Sequence, residues 1–156
     1  MIQRIQSVYL FLIVILAGLT IGLPVAGLIN VKSNLLYVID IRGLSLIKPA
    51  GEAVFQSATS MLTTFAAVFG TISLINIFSY KNRVKQIRLS VLNFLFMIGY
   101  YVALIIYIWM ACSSLSAEWH LRIAAIFPII SMILNYLAIG AIGKDEKLVK
   151  SLDRIR

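Results

Sequence analysis

LSVLNFLFMIGYYVALIIYIWMACSSLSA, residues 89–117, contains no Asp, Glu, Lys, Arg or His. A hydrocarbon core of about 30 Å is crossed by about 20 apolar residues in α-helix, and this stretch is longer than that. Three other stretches share the property: Ile5–Val31, Ala53–Tyr80 and Ile123–Gly143. Together they take up most of a 156-residue chain and leave almost nothing for a separate soluble domain. The reading is an all-α integral membrane protein forming a single membrane domain over residues 1–156. Its four transmembrane helices, over about 5–29, 53–80, 87–113 and 120–143, form an antiparallel bundle. An outer segment (30–51) and a tail (144–156) complete it.

Composition agrees: 61% of residues are hydrophobic and 13% charged, against about 25% charged in a typical soluble domain. The first run begins like a signal peptide, with the Met1 amine and Arg4. Its apolar stretch exceeds the roughly 7–15 residues of a cleaved signal core, so it reads as a retained helix.

The net charge of +8 is unevenly placed. Arg4, the loop Lys81, Arg83, Lys85 and Arg88, and the tail Lys144, Lys147, Lys150, Arg154 and Arg156 fall on one side of the four spans. Lys32, Arg42, Lys48 and Arg122 fall on the other, and the six acids divide evenly. Cations in short loops stay inside, which places both termini in the cytoplasm. Lys81, Arg83, Lys85 and Arg88 form a membrane-surface cluster, since anionic headgroups attract each cation by roughly 1 kcal/mol. Nucleic-acid binding is not expected, because no basic patch carries base-reading aromatics.

Gly18, Gly22 and Ala26 recur every fourth residue in the first helix, the spacing of a groove that accepts another helix, inside the bundle or on a partner. Pro24 lies in the same stretch and kinks the helix or ends its regular part. In the outer segment Leu35–Ile47 is apolar and β-branched, with Gly43 placed for a turn between two short strands. A two-stranded ribbon is marginal in water, so an extracytoplasmic β-ribbon leaning on the membrane competes with an interfacial segment. The second helix carries a polar face, Gln56, Ser60, Thr63 and Thr64, which suits interior packing or a solvated path. Asn93 and Asn135, on the third and fourth helices, are placed to bond across helices, and Trp109 and Trp119 suit an interfacial belt. The cytoplasmic tail reads as an amphipathic helix whose Leu148, Leu152 and Ile155 form one apolar stripe, for the inner leaflet or for protein docking.

Chemistry is scarce. A single cysteine, Cys112, permits no intrachain disulfide, and with one histidine, His120, no metal cluster is expected. His120 beside Glu118 and Arg122 suits an interfacial ion pair better than acid–base work, which needs a positioned partner and a pocket. There is no phosphate loop, nucleophile elbow or zinc motif. No helix carries a charge at its middle, where proton-coupled carriers keep theirs. No catalytic residue, cofactor or metal is expected.

The opening Met1-Ile2-Gln3-Arg4-Ile5-Gln6, the basic turn running into Leu89 and Asn93, and the ending from Lys144 to Arg156 resemble one family over the whole chain. It is a family of small four-helix inner-membrane proteins of Bacteroidota, described as a domain of unknown function. The chain departs from it at Gly140 and Gly143, where members commonly carry Arg. The resemblance implies a bacterial inner-membrane address and no activity, catalytic residue or cofactor.

These readings converge on a non-enzymatic accessory or scaffold subunit of a larger inner-membrane assembly, such as one for protein translocation, insertion or envelope export. Its partners would be anionic lipid headgroups and other inner-membrane proteins, met through Gly18, Gly22, Ala26, Leu148, Leu152 and Ile155. The alternative is a small-solute or lipid-handling channel or carrier that uses the polar face of the second helix.

Overall fold

The computed structural model describes residues 5–30, 35–40, 43–47, 53–80, 82–115 and 117–153. Among the described residues four helices are long and apolar enough to cross a membrane. A five-stranded antiparallel sheet, order β4-β3-β2-β1-β5, sits at the end of the bundle where α1 and α3 finish and α2 and α4 begin.

Helix α1 spans Ile5–Gly22 and stops short of the expected 29. The Leu23 N–H still donates to Leu19 O (3.1 Å), but Pro24 has no N–H, and the Val25 N–H already donates to Ile39 O at 2.9 Å. Strand β1, Ala26–Asn30, follows, and then β2, Leu36–Ile39, and β3, Leu44–Ile47. Strand β4, Ala53–Ser57, takes residues expected to open the second helix. Its Val54 and Phe55 pair with Leu46 and Ser45 instead. Hydropathy alone does not separate an apolar strand from an apolar helix turn, and a ready edge on β3 decides for the strand.

Helix α2 runs Ser60–Phe78, and the Thr59 hydroxyl ties its start to Asp40 O at 3.2 Å. Helix α3 runs Arg83–Leu115, starting earlier than expected because Asn82 Oδ1 accepts the Lys85 N–H (3.1 Å) as an N-cap. Strand β5, Ala117–Leu121, takes the place of the expected fourth-helix start and pairs with β1. After one 3-10 turn, Ile123–Ile126, helix α4 runs Phe127–Asp153 with Pro128 in its first turn.

The expected two-stranded ribbon is thus part of a larger sheet. Asp40 and Gly43 form the β2–β3 turn, with the Asp40 N–H on Gly43 O (3.0 Å) and the Gly43 N–H on Asp40 Oδ1 (3.1 Å). Gly43 has φ +142°, and a Cβ there would collide with the Ser57 backbone, so the turn requires glycine. Leu28 stands opposite both Tyr37 and Trp119, and Ala26 opposite both Ile39 and Leu121. Ala26, Leu28, Tyr37, Ile39 and Leu44 are buried with the bundle core.

Helix α1 packs on α2 and α4, and α3 closes the ring against the same two helices. Leu10, Ile13, Phe69, Met97 and Tyr100 fill the middle, with Phe69 and Tyr100 edge to face at 6.2 Å. At Gly70 a Cβ would lie 2.9 Å from the Ala17 Cβ, so glycine sets the close approach of α1 and α2. The outside is the reverse of a soluble bundle: Leu95, Ile105, Trp109 and Tyr136 are 60%, 65%, 72% and 73% exposed.

Candidate functional site

Beside their apolar core the helices bury a polar set. Gln86, Ser90 and Asn93 recur at the i, i+4, i+7 spacing that brings them to one face of α3, and Ser73 and Asn76 do the same on α2. Helix α4 contributes Ser131 and Asn135, and α1 contributes Gln6; all eight are buried. Asn76 Nδ2 donates to Ser90 Oγ at 2.8 Å and, more weakly, to Gln86 O at 3.3 Å. Gln86 Nε2 returns a bond to Asn76 O at 3.0 Å. Asn93 Nδ2 donates to Ser73 Oγ (2.8 Å), whose hydroxyl donates to Phe69 O (2.9 Å). Asn135 Nδ2 donates to Ser90 O at 2.8 Å, bringing in α4.

Asn93 and Asn135 therefore bond across helices as the sequence suggested. Ser73, Asn76, Gln86 and Ser90 complete a set that the sequence reading missed, although their helical spacing was visible. The amide oxygens of Asn76, Gln86, Asn93 and Asn135 have no hydrogen-bond partner among the described residues. The cluster carries no charged side chain. It ties helices together through neutral amides and hydroxyls.

The other anticipated residues lie at the surface or apart. Gly18 and Gly22 face open space at the end of α1, with no atom within 4 Å of a built Cβ. Ala26 is not on that helix but buried in β1, so the three do not form one groove. Likewise Gln56 lies in β4 and not on the α2 face. Ser60 and Thr64 are exposed on the outside of the bundle, and the Thr64 hydroxyl donates to Ser60 O (2.8 Å) within its own helix.

At the opposite end from the sheet, Arg83, Lys85 and Arg88 lie in the first turns of α3, and Lys81 lies outside the described residues. Arg83 Nη1 stands 3.8 Å from Asp145 Oδ2 on α4. Helix α4 continues through Leu148 and Leu152, while their side chains and Ile155 lie outside the described residues. His120 is exposed on β5, with Nδ1 2.8 Å from Trp119 O. No metal-ligand cluster occurs among the described residues.

A second feature had no forecast. At the sheet end an apolar groove of about 700 Å³ opens between α3 and α4. Tyr101, Ile105, Trp109 and Cys112 form its α3 wall, and Trp119 and Leu121 of β5 line it at the sheet. The Tyr101 hydroxyl donates to Ala125 O at 2.6 Å, holding the 3-10 turn to α3. Arg122 belongs to the lining and makes no ion pair among the described residues.

Residues 2–155 match the model of the family described as Domain of unknown function (DUF4293). Among curated proteins no sequence match is found.

Proposed function

The chain belongs to the DUF4293 family, and on that premise we propose that it is a four-span protein of a bacterial inner membrane, serving as a non-enzymatic accessory or scaffold subunit. The inverted burial supports the membrane part. Side chains such as Ile105 and Trp109 are more than half exposed while Asn76, Asn93 and Asn135 are fully buried, an arrangement that water penalises and lipid rewards. The concentration of Lys and Arg at the end opposite the sheet supports cytoplasmic termini. A Bacteroidota origin remains the expectation of the family resemblance.

One observation carries the scaffold reading: the sheet has two open edges, β4 and β5. Among the described residues each edge strand pairs with a single neighbour, and the backbone groups on its other side can accept a strand of another protein. Val54 and Phe55 are exposed on one edge strand, and Glu118, Trp119, His120 and Leu121 on the other. Protein translocation, insertion or envelope export suits such a subunit, with the cytoplasmic tail as a second contact.

Photo-crosslinking from position 120 on β5 and from position 152 in the tail, in intact membranes, tests this. A discrete protein adduct at stoichiometric yield is expected from β5. A monomer that gives no adduct from either position, and copurifies with nothing after gentle solubilisation, refutes the scaffold role. The exposed hydroxyl face of α2, around Ser60, Thr64 and Thr71, borders a shallow groove of about 530 Å³. That groove keeps the lipid- or solute-handling alternative open to the same membranes, assayed by flux.

A further inference from the structure

We propose that the half of the bundle away from the sheet binds a file of water, held by the amide oxygens of Asn76, Gln86, Asn93 and Asn135 and closed off from the sheet end by Met97 and Phe69. The inference goes beyond the proposed function and rests only on the bundle interior.

The inward stripe of α3 reads Gln86, Ser90, Asn93, Met97 and Tyr100, in alternating steps of four and three, and none is more than 1% exposed. At 1.5 Å per residue it is about 21 Å long. Four of the five are polar, and Met97 is the break. Other helices add polar groups at matching heights: Asn76 donates to Ser90 Oγ and Asn135 to Ser90 O. Ser131 lies one turn from Asn135 towards the sheet.

This track is also where hydrogen bonding is incomplete. Among the described residues, the buried side-chain atoms without a partner are the four amide oxygens, Ser131 Oγ, the Tyr100 hydroxyl and Arg83 Nη1, which stands one turn before Gln86. Folded proteins leave few such atoms unmet, so a set of them along one axis calls for a ligand. Each amide already spends its nitrogen on the protein, and what it leaves over only accepts. A metal ion would answer that need, but the cluster holds no acid and Arg83, Lys85 and Arg88 stand at its end. The ion would be buried without a counter-charge. Water is neutral, donates twice and accepts from Ser131.

Met97 and Phe69 are fully buried, each one turn to the sheet side of the Asn93–Ser73 bond. Beyond them a void of about 10 Å³, lined by Tyr100 and Thr20, has room for one water. Thr20 Oγ1 donates to Leu16 O at 2.8 Å and keeps a lone pair to accept. Two wet compartments with one apolar layer between them form a water path closed by a hydrophobic constriction.

NMR cross-relaxation from water to side-chain protons, in the full chain in lipid nanodiscs, tests this. The Asn93 and Asn135 amide protons should show water contact and the Met97 methyl none. Ser73→Ala removes the hydroxyl beside Asn93, whose own exchange with solvent mimics bound water, and the Asn93 contact should survive. Replacing sodium and potassium chloride by choline chloride should leave the amide resonances in place. Dry amides in the wild-type chain overturn the water file, whatever the variant does. So does a contact at Asn93 that vanishes in folded Ser73→Ala, or a Met97 methyl as wet as the amides. Resonances that follow the alkali cation overturn it in favour of a metal ion.

Discussion

Ser90→Ala deletes one oxygen from the centre of the buried amide cluster. Ser90 Oγ accepts from Asn76 Nδ2 at 2.8 Å, and both residues are fully buried. Without it the Asn76 amide keeps only the weaker 3.3 Å bond to Gln86 O. Side-chain bonds between membrane helices average about 0.6 kcal/mol and reach about 1.7, because the unfolded chain in lipid also finds partners. A buried donor left with a poor acceptor belongs in the upper part of that range, so the expected loss is about 1–1.5 kcal/mol. That raises the unfolding equilibrium constant about five- to thirteenfold.

Thr64→Ala deletes the same functional group elsewhere, from a hydroxyl bonded to its own helix on an exposed face. Alanine is also the better helix former, so the change should stay within about 0.5 kcal/mol. Reversible unfolding by sodium dodecyl sulfate in mixed micelles, followed by circular dichroism, measures both variants. Asn76→Ala combined with Ser90→Ala should show a coupling of about 1 kcal/mol, as neighbours in one network do. Equal costs for Ser90→Ala and Thr64→Ala, or a coupling near zero, would refute the claim that the interior polar set holds the helices together.

Other perturbations follow from the same geometry. Gly43→Ala should cost about 1–3 kcal/mol through its φ of +142° and the crowded Ser57 backbone; it should appear as protease cleavage near the β2–β3 turn with helical content retained. Gly70→Ala should cost about 1–3 kcal/mol by pushing α1 off α2, and Ala17→Gly in the same chain should restore most of it in the dodecyl sulfate assay. In a Cys112→Ser background, Glu118→Cys should react with an impermeant maleimide from outside intact cells. Lys85→Cys should react only after permeabilisation, and the opposite pattern would reverse the proposed orientation. Asp145→Asn should change stability by less than about 0.5 kcal/mol, since its 3.8 Å pair with Arg83 is partly exposed.

The helical part of the fold was legible because four uncharged stretches of bilayer length leave few other solutions. The sheet was legible only in its centre, where Gly43 marks a turn between β-branched runs. Its outer strands were hidden for two physical reasons. Ala53–Ser57 is as apolar as a helix start, and Ala117–Leu121 acquires its partner only in three dimensions, from a strand far away in sequence. Gly18, Gly22 and Ala26 show the limit of spacing arguments: periodicity has meaning only while the helix lasts, and Pro24 ended it before Ala26. Conversely, Asn93 and Asn135 were readable as bonding residues because an amide on an otherwise apolar helix has little else to do. The groove between α3 and α4 could not be read at all, since it is a gap between elements rather than a property of any one of them.

Strand β5 has a consequence for assembly. It joins Ala26 to Leu121 and Asn30 to Ala117, contacts that span most of the chain. The first helical hairpin, α1 and α2 with β1–β4 between them, is complete in sequence long before its sheet is. Until the α3–α4 turn arrives, the β1 side of that sheet is an unfinished border. That pairing is thus a clasp between the two halves, and it precedes in sequence the packing of α4 on α1 and α3. A chain halted after α2 is left with that border open, which makes the unlatched half a natural substrate for chaperones and quality-control proteases.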